Sequence, residues 1–301
     1  MLSGLLSWLW RTFPRVRNGF SNRVRESMLG DSRYPAKFYP YQRELTSYLI
    51  EAAPSRASTA GLPVPPKDLW WRYADTEERY LAIGKEYLDN MARVLDQAGR
   101  SLSSCKRILD FGAASGIMIR WLEANARDGG EVWGVDISGA HMIWCQQHLS
   151  PPFKFATSTS FPHLPFEDGY FDLVYAGSVF THIADLAEAW LLELRRIVRP
   201  GGNLYVTVHD EHTISLYEKD PNFFMQKHLQ ERDREIGYTR RNWDFFTLDR
   251  TPGEGGPGQA QVFYKREYLR RHWGQFLKVV SFTPESYWYQ TAVLLEKQAQ
   301  R

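Results

Sequence analysis

One segment constrains the fold more than any other. Arg107-Ile-Leu-Asp-Phe-Gly-Ala-Ala-Ser-Gly116 reads as a short apolar strand running directly into a glycine-bearing turn, with a helix expected over about 115–127. Such a turn brings main chain close to a ligand, because Gly112 and Gly116 lack the Cβ atoms that would block the approach and Ala114 is the next smallest choice. Asp110 stands just before the turn, where a carboxylate can receive a ligand's ammonium group. A strand that ends this way belongs to a nucleotide-binding α/β sheet, so the residues after it should alternate buried strands with amphipathic helices.

They do. Short apolar runs at 107–111, 131–136, 153–156, 171–176 and 203–208 read as strands, separated by helices at about 115–127, 138–149 and 183–198. Upstream, apolar residues from Tyr80 to Leu95 recur at helical intervals between Thr76 and Gln97, and Gly99 supplies the stop. Two last apolar runs, Phe276–Phe282 and Tyr289–Leu295, are expected to close the sheet as an antiparallel pair around a return at Thr283–Trp288. The expected architecture is α/β: an open, doubly wound, seven-stranded sheet, mostly parallel with an antiparallel C-terminal strand, plus an N-terminal helical extension and cap segments. Residues 1–66 form that extension, with a short helix at Gln42–Ala53 and a Pro-rich linker. Residues 67–301 form the domain, and 67–75 (with Trp70, Trp71 and Tyr73) and about 211–262 cap its crevice.

A second motif, Glu131-Val-Trp-Gly-Val-Asp136, ends in an acid about twenty residues beyond the turn. That spacing suits hydrogen bonds to ribose hydroxyls, although Asp136 or Ser138 also suits the start of the next helix. A third, Leu164-Pro-Phe-Glu-Asp-Gly-Tyr-Phe-Asp172, leads into a strand whose end, Ala176-Gly-Ser178, forms one wall of the crevice where strand order reverses. A dinucleotide fingerprint would place a small residue at 117, where this chain has Ile117, and no Tyr-x-x-x-Lys dyad follows the fourth strand. Both facts count against a nicotinamide-dependent oxidoreductase.

On these motifs residues 105–210 resemble the class I S-adenosylmethionine (SAM)-dependent methyltransferases, in the type 11-like subgroup of ubiquinone/menaquinone-type enzymes. The resemblance implies SAM as cofactor, with Asp110, Gly112, Ala114 and Gly116 holding its methionine part, Asp136 the ribose, and Ile137 packing on adenine. Ser160, followed by Phe161, stands where the family usually has an acid for the adenine amino group, and Ala176 belongs to the crevice wall. Pro162-His-Leu-Pro-Phe-Glu-Asp168 and Ala176-Gly-Ser-Val-Phe-Thr-His182 also resemble bacterial methyltransferases associated with cell-surface glycans and glycolipids.

Transfer of a methyl group from a sulfonium needs an aligned nucleophile and, for a hydroxyl acceptor, a nearby base. His182 after the fourth strand, and His209 and Asp210 after the fifth, are the candidates, with His212 ranked behind them. No Asn/Asp-Pro-Pro-aromatic motif follows the fourth strand and neither Cys105 nor Cys145 is placed to attack a base, so a small-molecule or glycan/glycolipid hydroxyl is expected rather than nucleic acid. Net charge is +2, which gives no field for polyanions. Two cysteines suit a reducing cytoplasm and form no metal cluster, so no metal is expected. Leu2, Leu5, Leu6 and Leu9 at helical spacing, followed by five arginines before residue 26, suit peripheral membrane contact through residues 1–25. The competing reading is a SAM-binding or membrane-docking module without turnover.

Overall fold

The computed structural model describes residues 48–49, 61–70, 74–127, 129–220, 225–248 and 260–299. The expected N-terminal helix at 1–13, the membrane-contact segment 1–25, the loop 251–259, and Trp71 and Tyr73 lie outside them. Helix α1 (Glu77–Gln97) shows how local sequence sets an element: Thr76 caps it by accepting from Arg79 N, and Glu77 and Glu78 occupy its positive end. Tyr80, Ile83, Tyr87, Leu88, Met91, Val94 and Leu95 form its buried stripe, and Gly99 (φ 70°) ends it.

The strands are β1 (Tyr48–Leu49), β2 (Arg107–Phe111), β3 (Glu131–Asp136), β4 (Lys154–Thr157), β5 (Phe171–Ala176), β6 (Val198–Val208), β7 (Phe245–Leu248), β8 (Gln261–Tyr264), β9 (Lys278–Tyr287) and β10 (Gln290–Glu296). The main sheet runs β1-β4-β3-β2-β5-β6-β10-β9, and β7 pairs with β8 separately. From β4 to β9 it is the expected seven-stranded sheet, with β10 antiparallel to both β6 and β9. Strand order reverses between β2 and β5, which puts the ligand crevice at the carboxyl ends of those strands.

Helices α2 (Gly139–His148), α3 (Ala187–Ile197), α4 (Glu211–Lys219), α5 (Gln226–Ile236) and α6 (Arg266–His272) complete the chain. One apolar core joins α1 and α2 to one sheet face, and a second joins α3 and α6 to the other. A third, smaller core of Ile214, Tyr217, Leu229, Phe246 and Phe263 unites α4, α5 and the β7–β8 pair.

Three expectations are corrected. The helix expected at Gln42–Ala53 is a strand at Tyr48–Leu49, pairing antiparallel with β4; the rest of that span lies outside the described residues. The return expected at Thr283–Trp288 narrows to the residues between β9 and β10, because β9 continues to Tyr287. The helix expected over 115–127 is only a 3-10 turn at Ile119–Leu122. The cause is crowding by α1: a Cβ on Gly84 would lie 2.0 Å from the Ile117 carbonyl oxygen. That carbonyl, which a regular helix would offer to Trp121 N, is pressed against α1, and Trp121 N donates to Met118 O instead.

Candidate active site

The glycine turn is held by main chain and by one acid. Gly112 N and Ala113 N both donate to Val135 O, at 2.8 and 3.0 Å, which ties the turn to β3. Asp136, at the end of β3, accepts from Ala114 N through Oδ2 (2.9 Å) and from Ser138 N through Oδ1 (2.8 Å). The acid therefore clamps the turn and starts α2 together. Gly112 (φ 88°) and Gly116 (φ 81°) take the left-handed conformation that favours glycine, and Ala114 is drawn into it at φ 45°. A Cβ on Gly112 would fall 2.3 Å from Val179 Cγ2, so the segment after β5 closes directly on the turn.

Asp110 is buried and lies in register with Gly134 on one side and Tyr175 on the other. Burial, reinforced by the charge of Asp136 and partly opposed by the Tyr175 hydroxyl, pushes its carboxyl up to about 8. A carboxyl in that state takes a cation well, because a positive neighbour relieves the cost of its ionisation. Apolar surface lies exposed beside Asp136: Ile137 is 42% exposed, and Phe161, after the adjacent strand β4, is 53% exposed. Ser160 is exposed between Thr159 and Phe161, and Thr159 Oγ1 accepts from Phe161 N. Ala176 is fully buried at the end of β5.

Residues 62–70 cross the turn from outside. Ser115 Oγ donates to Leu69 O (2.7 Å) and meets Tyr80 Oη at 2.8 Å. His141 Nε2 lies 3.2 Å from the same Leu69 carbonyl, and Arg120 donates to Leu62 O and Pro63 O. The turn is thus anchored on α1 and on the 62–70 strap.

The candidate bases differ sharply in setting. His182 is exposed, and its Nδ1 lies 3.1 Å from Ala260 O and 3.4 Å from Gln261 Nε2; the shorter contact, to a carbonyl, is a hydrogen bond when Nδ1 carries the proton and Nε2 is the basic nitrogen. His209 is fully buried against Phe263 and Tyr289, with Nε2 bonded to Gln261 Oε1 at 2.8 Å and Nδ1 without a hydrogen-bond partner. Burial drives it down to about 3, so it stays neutral through ordinary pH. Asp210 is fully buried, caps α4 through Oδ1 and ion-pairs with Arg266 Nε at 2.5 Å. His212 Nε2 reaches Glu285 at 2.7 Å on the surface. The Cys145 thiol is buried and pushed well up, and Cys105 is pushed up to about 11, so neither is an activated nucleophile.

Sequence reasoning missed the polar ring behind this crevice. Ser178 N donates to Thr207 Oγ1 (2.7 Å), Thr207 Oγ1 to Gln290 Oε1 (2.6 Å), and Gln290 Nε2 to Ser178 Oγ (2.8 Å). Ser178 itself sits at φ 55°. Gln290 opens a strand that pairs with β6 from 83 residues away, and no local motif marks it.

Residues 109–206 match the family model described as a methyltransferase domain. The chain is 28% identical over 192 residues to the demethylmenaquinone methyltransferase of Beutenbergia cavernae, covering 62% of this chain and 76% of that one. It is 29% identical over 105 residues to a ubiquinone/menaquinone biosynthesis C-methyltransferase of Cupriavidus pinatubonensis, covering 33% and 42%. Protein PH0226 of Pyrococcus horikoshii shares the fold, with TM-score 0.52 and 16% identity over 75% of this chain and 95% of that one. Sheet order, glycine turn and matched domain together define a class I SAM-dependent methyltransferase, with SAM as its cofactor. The match to the type 11 kind lies in residues 109–206, about a third of the chain.

Proposed function

We propose that this enzyme methylates a hydroxyl oxygen of a small-molecule acceptor, of the glycan or glycolipid kind, with His182 as general base. The observation that carries the reading is the tight turn after β5. Val179 abuts Gly112, its carbonyl accepts from His182 N at 2.9 Å, and Ala260 O orients the His182 ring with Nε2 as its basic nitrogen. A base is thereby tethered three residues from the wall of the cofactor turn.

The site fits SAM on its own chemistry: a turn whose glycines take left-handed backbone, a buried carboxyl that gains from a cation, and apolar side chains exposed beside a strand-end acid. Asp110 and the backbone of Gly112, Ala114 and Gly116 would hold the methionine part. Asp136 would take the ribose hydroxyls, Ile137 and Phe161 would flank adenine beside Ser160, and Ala176 would close the wall. When bound, SAM supplies an electrophilic methyl carbon on a cationic sulfur, so the protein's task is alignment and proton removal. His209 and Asp210 we assign to bracing the cap: the first is sealed under Tyr289, and the second is committed to α4 and Arg266. A glycolipid acceptor would be met at a membrane surface, for which the arginine-rich segment 1–25 is suited.

The curated relatives favour a second reading, methylation of a quinol ring carbon, in which the same histidine would draw the ring hydroxyl proton. The two are separated by letting the enzyme transfer methyl-labelled SAM onto bacterial lipid and glycan extracts and heating the product in hydriodic acid. An O-methyl label leaves as volatile methyl iodide, whereas label retained in the product rejects the oxygen acceptor. His182→Ala should lower kcat by about 10²–10⁴ with SAM affinity unchanged; full turnover in that variant removes His182 from the mechanism.

A further inference from the structure

A cavity of about 230 Å³ lies between the start of α3, the β7–β8 hairpin and α6. Four aromatic side chains line it, Phe245, Tyr264, Tyr268 and Trp273, together with the carboxylates of Asp185 and Glu188. Phe245 and Tyr268 have ring centroids 5.6 Å apart, Tyr264 and Trp273 5.7 Å, and Phe245 and Tyr264 6.3 Å. Glu188 Oε1 accepts from Tyr268 Oη at 3.0 Å and pairs with His272, which fixes that carboxylate at the aromatic wall. Asp185 is exposed, and among the described residues no lysine or arginine contributes to the lining.

Three features narrow what such a cavity takes. Ring faces carry the negative end of the aromatic quadrupole, so they attract a cation whose charge is spread over alkyl groups. Two carboxylates on the same lining add to that attraction and repel an anion. The volume falls below the ~300–1,000 Å³ of sites that enclose drug-sized molecules, so it suits one end group rather than a whole ligand.

We propose that this cavity is a binding site for an organic cation, an alkylammonium end group. The aromatic walls take the alkylated nitrogen, and Asp185 and Glu188 supply the counter-charge. The site rests on its own lining and not on the identity of the methyl acceptor. It shares the 182–188 segment with His182, and Tyr264 Oη donates to Ile183 O at the junction.

The test is a calorimetric and saturation-transfer NMR titration of the full chain with choline and with 3,3-dimethylbutan-1-ol, which replaces the charged nitrogen by carbon at the same shape. Choline should bind at least about tenfold tighter than the neutral alcohol. Phe245→Leu and Asp185→Asn, both at exposed positions, should each weaken choline by about threefold or more while leaving SAM binding and the melting curve unchanged. Equal binding of the two probes would make the cavity merely apolar and overturn the proposal. So would the absence of choline binding, or unaltered choline affinity in both variants.

Discussion

Asp110 should give this enzyme a stability that falls as pH rises through neutrality. In the unfolded chain the carboxyl loses its proton near its ordinary value of 3.8; in the fold it holds it up to about 8, burial being the main cause. Between those limits the folded state binds the extra proton, so each pH unit lowers unfolding free energy by up to about 1.4 kcal/mol. The raised folded pKa fixes the sign: the favourable state lies at low pH and is lost on the way up. His209 runs the other way, since its imidazole is pulled to about 3 and its contribution is lost as pH falls from the ordinary 6.5. Below pH 6.5 the two slopes oppose; from 6.5 to 8 Asp110 acts without His209, and the expected loss is about 2 kcal/mol.

The assay is urea unfolding followed by tryptophan fluorescence across that interval, in the wild type and in Asp110→Asn. Asparagine imitates the protonated acid at every pH, so the difference between the two proteins isolates this carboxyl from every other titration. The difference should shift by about 2 kcal/mol between pH 6.5 and 8 and flatten above 8. Saturating SAM should diminish the shift, because a bound cation favours the ionised acid. A wild-type and variant difference that stays constant over the interval would refute the buried, protonated state and with it the idea that the site waits for a cation.

Asp136→Ala should weaken SAM binding by about 1–3 kcal/mol, read by calorimetry, because the proposed ribose contacts are lost and the Ala114 and Ser138 amides lose their acceptor; an unaltered Kd rejects the ribose role. Gly84→Ala forces a Cβ to within 2.0 Å of the Ile117 carbonyl and should cost about 1–3 kcal/mol in denaturant midpoint analysis, whereas Ala82→Gly on the exposed face of the same helix should cost about 1. Arg266→Met strands the Asp210 carboxylate in a fully buried position and should destabilise by about 3–5 kcal/mol in thermal melts. If Asp210 only braces the cap, Asp210→Asn should keep kcat within about threefold at a temperature where it remains folded, far from the loss of 10² or more expected for a general base.

How much of this was legible in the sequence follows from how far each interaction reaches. Strands β2, β3 and β5 fall on their expected residues, since a fully buried parallel strand is an apolar run whatever it packs against. Asp110, Gly112 and Asp136 were legible for a related reason: an acid or glycine at a strand end has its place fixed by the strand itself. Where the outcome depended on a distant partner, the local pattern misled or was silent. The helix expected after Gly116 had sound periodicity, yet α1, thirty residues earlier in the chain, presses Gly84 onto the Ile117 carbonyl and breaks its bonding pattern.

The same argument separates the histidines and acids that the sequence presented as equals. His182, His209 and Asp210 all follow central strands, and sequence position gives each the correct end of the sheet. What distinguishes them is the cap that returns over β6 some fifty residues later. Gln261 and Phe263 enclose His209, Arg266 neutralises Asp210, and Ala260 and Gln261 contact His182 while leaving the residue exposed. One short stretch, 260–266, therefore leaves His182, the base we propose, exposed while burying His209 and Asp210, and it does so through contacts spanning 52 to 78 residues of chain. Substitutions in that stretch should consequently alter acceptor turnover while leaving SAM affinity intact, because its bonds to the crevice side run to residues 181–183 and 209–211. A loss of SAM binding in Gln261→Ala would break that separation.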